Sequence, residues 1–180
     1  MPRRERLSDV QRSALVGLPT DPESLARYYT LEAHDLALIR TKRGDHNRLG
    51  YAIQLAHLHF PGQALTAEAS PPPEPIAFLA EQLELLPAAW EQYAARDETR
   101  REHAIEAQAA LGLRPFTVTE YRGLRAWLTE LALRTQKATA LAEQLIERLR
   151  TTRIVVPRRT SLTASVAKPW CVEPERCIGS

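Results

Sequence analysis

Arg40-Thr-Lys-Arg-Gly-Asp-His-Asn-Arg-Leu-Gly-Tyr-Ala-Ile-Gln-Leu55 is the stretch that decides the fold, because a basic turn that contains a glycine runs directly into an amphipathic helix. Gly44 is placed to end the preceding helix, whose apolar face is formed by Leu31, Leu38 and Ile39. In the helix that starts near Asp45, the spacing of the apolar residues predicts one buried stripe, formed by Leu49, Ala52, Ile53, Ala56 and Phe60. The stretch therefore predicts two helices joined by a tight turn.

The polar residues of this helix pair are typical of a protein that reads double-stranded DNA. The turn would place cations against a phosphate backbone, and the helix would carry polar side chains on or near its outward face. The full set of candidates is Arg40, Lys42, Arg43, His46, Asn47, Arg48, Tyr51 and Gln54. The start of such a helix also has unpaired backbone N–H groups, which attract an anion. The same cations also fit an ordinary solvated surface, and His46 fits a contact with water as well as one with phosphate.

Composition divides the chain into four segments. Residues 1–63 predict a first helical subdomain, and residues 64–74, rich in Ala, Ser and Pro, predict a linker. Residues 75–157 predict a second helical subdomain. Residues 158–180 have no periodic pattern and predict an irregular tail. The fold class is therefore predicted as all-α, with a helix-turn-helix-like pair in each subdomain.

Capping signals place further helix starts. Ser8 with Gln11 and Thr20 with Glu23 have the spacing of a capping box, and Thr30 can cap the helix that leads to Gly44. Asp45 is more typical of a helix cap than of a metal ligand.

A second helix-turn-helix pair is predicted around Gly112. An Ala- and Glu-rich helix over 97–111 precedes it, and a helix capped by Thr117 with Glu120 follows it. Four residues of this region are candidates for a second DNA contact, with ordinary surface and capping roles as the alternative: Arg114, Thr117, Arg122 and Arg125. Trp90 and Trp127 lie in apolar helical neighbourhoods and are predicted as core anchors.

Net charge is only +2 for the whole chain, so the distribution of charge matters more than its sum. Residues 1–60 carry 9 basic and 7 acidic residues, residues 61–115 carry 4 and 9, and residues 116–180 carry 11 and 6. An acidic middle between basic ends fits two DNA-contacting surfaces, and it equally fits a helical protein with charged faces. No secretory signal and no apolar run long enough to span a bilayer is visible, so the predicted location is cytoplasmic, and nucleoid-associated when bound to DNA.

Several function classes find little support in the residues. His57 and His59 lie two apart on a helix without a cluster of carboxylates or cysteines, so no metal site is predicted. No glycine-rich phosphate loop is present, and Ser161 and Ser165 lie in the irregular tail, so no cofactor and no catalytic residue is predicted. Both cysteines, Cys171 and Cys177, also lie in the tail, which argues against a disulfide framework.

Several segments together resemble the amino-terminal DNA-binding region of the large replicative transposases of the Tn-three family. They are Pro2-Arg-Arg-Glu-Arg-Leu-Ser-Asp9, Leu18-Pro-Thr-Asp21, Arg43-Gly-Asp-His-Asn-Arg-Leu-Gly-Tyr51, Phe60-Pro-Gly62 and Gln108-Ala-Ala-Leu-Gly-Leu-Arg-Pro-Phe-Thr117, followed by Tyr121-Arg122 and Trp127-Leu128. They occur in order over about residues 1–157.

The resemblance implies recognition of the terminal inverted repeats of a transposon by a helical region. It also implies an Asp, Asp, Glu set that binds divalent metal in a distant catalytic domain, and no position of this chain matches that motif. The chain is therefore expected to be no enzyme, truncated before the catalytic domain. The alternative is a protein-interaction module that associates with full-length transposase or with itself and modulates transposition.

Overall fold

The computed structural model describes Ser8, Gln11 and residues 17–65, 70–135 and 137–157. In these ranges the fold is all-α, as predicted, with eight helices and no strand. The helices are α1 (Pro22–Tyr28), α2 (Ala33–Arg40), α3 (Asp45–His59), α4 (Pro73–Gln82), α5 (Ala89–Ala94), α6 (Asp97–Ala110), α7 (Val118–Arg134) and α8 (Ala138–Thr151). The predicted tail over 158–180, with both cysteines, lies outside the described residues.

Side-chain caps mark some of the helix starts. The Ser8 and Gln11 side chains exchange the two hydrogen bonds of a capping box, as predicted. Thr117 caps α7, since its hydroxyl accepts from the Glu120 backbone N–H at 3.4 Å. Two predicted caps were displaced along the chain. Asp21 and not Thr20 is the N-cap residue of α1, and Glu32 and not Thr30 is the N-cap residue of α2, because these helices begin at Pro22 and Ala33. The Thr30 hydroxyl instead donates to the Ala26 carbonyl at 2.6 Å.

The described residues fall into two compact units. The main unit contains 17–65, 70–115 and 149–156, and the small unit contains 116–135 and 137–148 with Ser8, Gln11 and Pro157. The main unit is built around α3, which packs against α2, α4, α5 and α6. One of its apolar clusters joins Leu49 and Ile53 of α3 to Leu79 of α4 and Tyr93 of α5.

This division differs from the predicted linker over 64–74. Helices on both sides of that segment share one core, in which Leu25 of α1 and Ile76 of α4 belong to the same cluster. Leu65 and Pro71, within the expected linker, are buried. Proline content predicted an extended segment, but an extended segment can still run across a core and bury its side chains.

The small unit contains α7 and the first part of α8. Leu124 and Leu128 of α7 and Leu141 and Leu145 of α8 are buried, in line with the predicted apolar stripes. Trp127 is half-buried, and the Arg148 guanidinium lies 4.6 Å from the centre of its ring. The two helices of the second predicted pair, α6 and α7, lie in different units.

After α8 the chain returns to the main unit in an extended conformation. The Arg114 N–H donates to the Arg153 carbonyl at 2.7 Å, and the Val155 N–H donates to the Arg114 carbonyl at 2.9 Å. The Val156 N–H donates to the carbonyl of Gly62 at 2.8 Å. Ile154 and Val156 are buried, so this segment closes one side of the main unit. None of the helices in the described ranges has both the length and the apolar character needed to cross a membrane.

Candidate nucleic-acid interface

The predicted helix pair is present as α2 and α3, which pack against each other and are joined by residues 41–44. Gly44 has φ +82°, and a Cβ built there would lie 2.9 Å from the His46 ring, so a side chain at this position is strained in two ways. The side chains of Arg40 and Arg43 are exposed on this turn. The sequence therefore places two solvent-facing cations beside the start of α3.

The start of α3 lacks a side-chain cap. Gly44 is the N-cap residue, and Asp45 is the first residue of the helix. The prediction that Asp45 caps α3 is therefore wrong. Its carboxylate instead lies 3.9 Å from the Arg48 guanidinium, a loose and exposed ion pair. The N–H groups of the first turn thus have no side-chain acceptor, which leaves them suited to an anion.

Asn47 and Arg48 brace the turn from inside the helix. The Asn47 amide donates to the Arg43 carbonyl at 2.9 Å, and the Arg48 Nε donates to the Lys42 carbonyl at 3.1 Å. The Arg48 side chain remains 45% exposed. Asn47 is more enclosed, and its Oδ1 is buried without a hydrogen-bond partner in the described part of the chain. Arg48 is therefore the better placed of the two to reach a ligand.

The prediction that Lys42 faces solvent and contacts phosphate is wrong. Its side chain is only 11% exposed and forms an ion pair with Glu106 of α6. The ammonium also lies 4.2 Å from the centre of the Tyr51 ring. The carboxylate neutralises the charge that the prediction assigned to phosphate, so Lys42 fastens the turn to α6.

The prediction that Tyr51 and Gln54 lie on the outward face of the helix is also wrong, because both side chains are fully buried. The Gln54 amide pairs with the Leu65 backbone in both directions at 3.2 Å and also donates to the Arg100 carbonyl at 3.4 Å. Burial, with a contribution from the Glu106 charge, raises the pKa of Tyr51 to about 12. The reason is that α3 is surrounded, with every residue from Leu49 to Leu58 buried. The sequence pattern predicted one buried face, whereas a central helix is buried on all of its faces.

Three of the remaining α3 side chains are histidines with different environments. His46 is half-buried against Gly44, and its Nε2 has no described hydrogen-bond partner. Burial lowers the pKa of His57 to about 4, and its Nδ1 lies 2.9 Å from the Ile53 carbonyl oxygen. His59 pairs with Asp35 at 3.1 Å, and this hydrogen bond raises the pKa of His59. In the described ranges no three His, Cys, Asp or Glu residues are grouped to hold a metal ion.

The four candidates of the second predicted contact are split between the units. Arg114 belongs to the main unit, and its guanidinium donates to the Thr152 carbonyl at 3.4 Å. Thr117, Arg122 and Arg125 belong to the small unit, where the two arginines are exposed on α7. Arg40 ends α2, Arg43 lies in the turn and Arg48 lies in α3, and all three are exposed, whereas Arg114 belongs to a different unit from Thr117, Arg122 and Arg125.

Sequence reasoning missed a second group of basic residues in the main unit. Arg150 and Arg153, together with His34 and His59, line a cavity of about 410 Å³. Arg150 and Arg153 come from the end of α8 and the turn after it, more than ninety residues away from the two histidines. No local pattern relates residues so far apart, because the return of the chain after α8 brings them together.

Comparison with known proteins gives a consistent result. Residues 7–168 match a family described as "Domain of unknown function (DUF4158)". The chain is 42% identical over 168 residues to the transposase for transposon Tn3926 of Escherichia coli. This alignment covers 93% of the chain and 17% of that transposase. It is 46% identical over 157 residues to the transposase for transposon Tn501 of Pseudomonas aeruginosa, covering 87% and 16% respectively. The transposase for transposon Tn21 of Escherichia coli is 40% identical over 168 residues, with 93% and 17% covered. The chain thus spans about one sixth of the length of these relatives.

Proposed function

The chain belongs to the DUF4158 family as it occurs in transposases of the Tn-three family, and we propose on this basis that it binds double-stranded DNA at the terminal inverted repeats of a transposon. The observation that carries the proposal is the exposed cationic turn at the start of α3. Arg40 at the end of α2, Arg43 in the turn and Arg48 in α3 are all exposed, and the start of α3 has no side-chain cap. The role proposed is binding, with no catalytic step assigned to this chain.

In the proposed interface, different residues contact phosphates and bases. Arg40 and Arg43 lie on the turn, where a guanidinium can neutralise a phosphate without reading sequence. Arg48 lies one turn into α3, and its terminal nitrogens can donate to the acceptor edge of a guanine in the major groove. Asn47 serves mainly to hold the turn through the Arg43 carbonyl. The turn therefore presents its cations on a braced scaffold, which lowers the ordering cost of binding.

The proposal is tested by fluorescence anisotropy with two labelled duplexes, one carrying a terminal repeat and one with the same bases scrambled, at several salt concentrations. Arg43→Ala should weaken binding to both duplexes and reduce the slope of log affinity against log salt by about 0.9 for one lost phosphate contact. Arg48→Ala should weaken binding to the repeat selectively, by about 1–3 kcal/mol for one lost base contact.

Arg101→Ala is the matched control, since the Arg101 side chain is 66% exposed, lies 3.6 Å from Glu98 and belongs to α6 and not to the turn. Its affinities for both duplexes should match those of the unmodified chain. Undetectable binding to both duplexes at low salt, with a folded protein, would count against the proposal.

A second candidate function is a protein-interaction module that associates with full-length transposase. The observation in its favour is a pair of exposed large apolar side chains in the main unit, Leu86 at 77% and Ile105 at 68%. A complex with full-length transposase that survives Arg43→Glu but is lost on Ile105→Asp would favour this function over DNA binding.

A further inference from the structure

The cavity of about 410 Å³ in the main unit is the strongest unassigned feature of the described residues. Its size is within the range of small-molecule sites, which starts at roughly 300 Å³. One part of its wall is cationic or basic, formed by Arg150, Arg153, His34 and His59, and another part is apolar, with Leu58 and Ile154. Such a wall suits a ligand that is anionic at one end and carries an apolar or ring body.

Among the residues that the structure describes, no acidic one lines this cavity. Asp35, which lies nearby through its contact with His59, is already engaged by the imidazole at 3.1 Å and by the Glu32 backbone N–H at 3.1 Å. Within the described ranges neither arginine of the cavity forms an ion pair. Two guanidinium charges are therefore left without a carboxylate at the same site, an arrangement that an anionic ligand would balance.

Both guanidinium groups are held in place by backbone carbonyls. Arg150 donates to the Pro61 carbonyl at 3.3 Å and lies 4.9 Å from the centre of the Phe60 ring. Arg153 donates to the Leu111 carbonyl at 3.3 Å. A guanidinium has five N–H donors, so each arginine keeps donors for a ligand after these bonds. Arg153 also has φ +54°, a strained conformation that persists because its carbonyl accepts from Arg114.

Basic residues near the ends of helices have an ordinary explanation, which is the negative end of the helix dipole. That explanation accounts for one bond of Arg153, which donates to the carbonyl of Leu111, the C-cap residue of α6. The His57 carbonyl accepts from the Gly62 and Gln63 N–H groups, and the Leu149 carbonyl accepts from the Ile154 N–H. The carbonyls of His57 in α3 and Leu149 in α8 are thus paired by backbone N–H groups, and Arg150 and Arg153 are not needed for them.

We propose that this cavity binds an organic phosphate, with the phosphate group on Arg150 and Arg153 and the body of the ligand against Leu58 and Ile154. A phosphate group accepts bidentately from the forked donors of an arginine, and its further oxygens let the same group accept from a second guanidinium. The ligand is either a free nucleotide or a nucleotide unit of a DNA strand, and both present the same phosphate and ring chemistry to the cavity.

The test uses the full 180-residue chain and follows the imidazole NMR signals of His34 and His59. Thymidine monophosphate is titrated at constant ionic strength, and thymidine, which lacks the phosphate, is the matched ligand. We expect thymidine monophosphate to shift both signals with saturation and thymidine to leave them unchanged. Arg153→Gln should raise the Kd for thymidine monophosphate by at least about tenfold, the equivalent of 1.4 kcal/mol. Arg101→Gln, the control at an exposed arginine outside the cavity, should change the Kd by less than about twofold.

His34→Gln provides a second variant, because His34 is exposed and its replacement is not expected to disturb the core. It should weaken thymidine monophosphate binding while the thermal unfolding curve stays unchanged. Equal effects of thymidine and its monophosphate would overturn the proposal, and so would folded Arg153→Gln and His34→Gln variants that both bind like the unmodified chain.

A DNA duplex then identifies the source of the phosphate. Displacement of thymidine monophosphate by the duplex assigns the cavity to a strand of DNA, and binding of both together assigns it to a free nucleotide. Either result supports a phosphate site. Because thymidine monophosphate is tested alone, this site can fail while DNA binding at the α3 turn succeeds, and the reverse.

Discussion

Gly50→Ala should destabilise the main unit, because Gly50 is the point where α3 meets α5 most closely. A Cβ built on Gly50 lies 2.2 Å from Cγ of Tyr93 and 2.3–2.4 Å from its two Cδ atoms. Normal carbon–carbon contacts begin near 3.5 Å, so the ring or the helix must move by about 1.3 Å. Tyr93 is fully buried beside Trp90 and His103, with ring centres 5.5 and 5.6 Å away, so the ring has no free space to enter.

The expected loss is about 1–3 kcal/mol of overpacking cost or more, from which the gain in helix propensity on replacing Gly by Ala, about 1 kcal/mol, must be subtracted. Gly123→Ala is the matched control. Gly123 lies in α7, and a Cβ there meets nothing within 4 Å, so this variant should be as stable as the unmodified chain or more stable. Urea unfolding followed by far-UV circular dichroism and tryptophan fluorescence measures both. A Gly50→Ala variant as stable as Gly123→Ala would refute the packing argument.

Three further predictions follow from buried polar groups. Burial lowers the pKa of His57 from 6.5 to about 4, so the unfolded chain binds a proton before the folded chain does as the pH falls. The stability of the folded chain should therefore decline between about pH 6.5 and 4. Urea unfolding midpoints should fall less steeply across this range for His57→Gln than for the unmodified chain. Gln54→Leu should lower the free energy of urea unfolding by about 1–3 kcal/mol, because it leaves the Leu65 backbone unpaired. The affinity of the folded variant for the repeat duplex should stay unchanged. A selective loss of affinity for the repeat would instead indicate that Gln54 contacts a base. Glu106→Gln should destabilise the chain by about 1 kcal/mol, because it removes the carboxylate that pairs with the largely buried Lys42 ammonium, and the half-exposed Glu106 limits the strength of that pair. The loss should be smaller in a Lys42→Met background, where no ammonium is left unpaired.

The turn between α2 and α3 shows why the candidate interface was only partly predictable. Gly44, Arg40 and Arg43 were located from sequence, because a glycine turn beside a helix start is a local feature with a local cause. Lys42 has the same charge and the same turn, but its environment depends on Glu106, 64 residues further along the chain. Contacts of this range have no local signature, so exposed and neutralised cations looked alike.

Burial along α3 had the same limit. The spacing of Leu49, Ile53 and Ala56 correctly predicted a helix and its first buried face. Tyr51 lies against His103 of α6, and Gln54 bonds the backbones of Leu65 and Arg100. The number of neighbours that surround a helix is a property of the packed chain.

The sequence by itself determined the all-α class, the start of α3, the bounds of α6, the capping by Thr117 and the location of the cationic turn, since helix formation and capping depend on residues three or four positions apart. Only the tertiary structure decided which polar side chains of α3 reach solvent, that the helices on both sides of the proline-rich segment share a core, and that Arg150 and Arg153 join His34 and His59 around one cavity. The physical reason is that burial and ion pairing are set by neighbours distant in the chain, which the return of residues 149–156 to the main unit brings into contact.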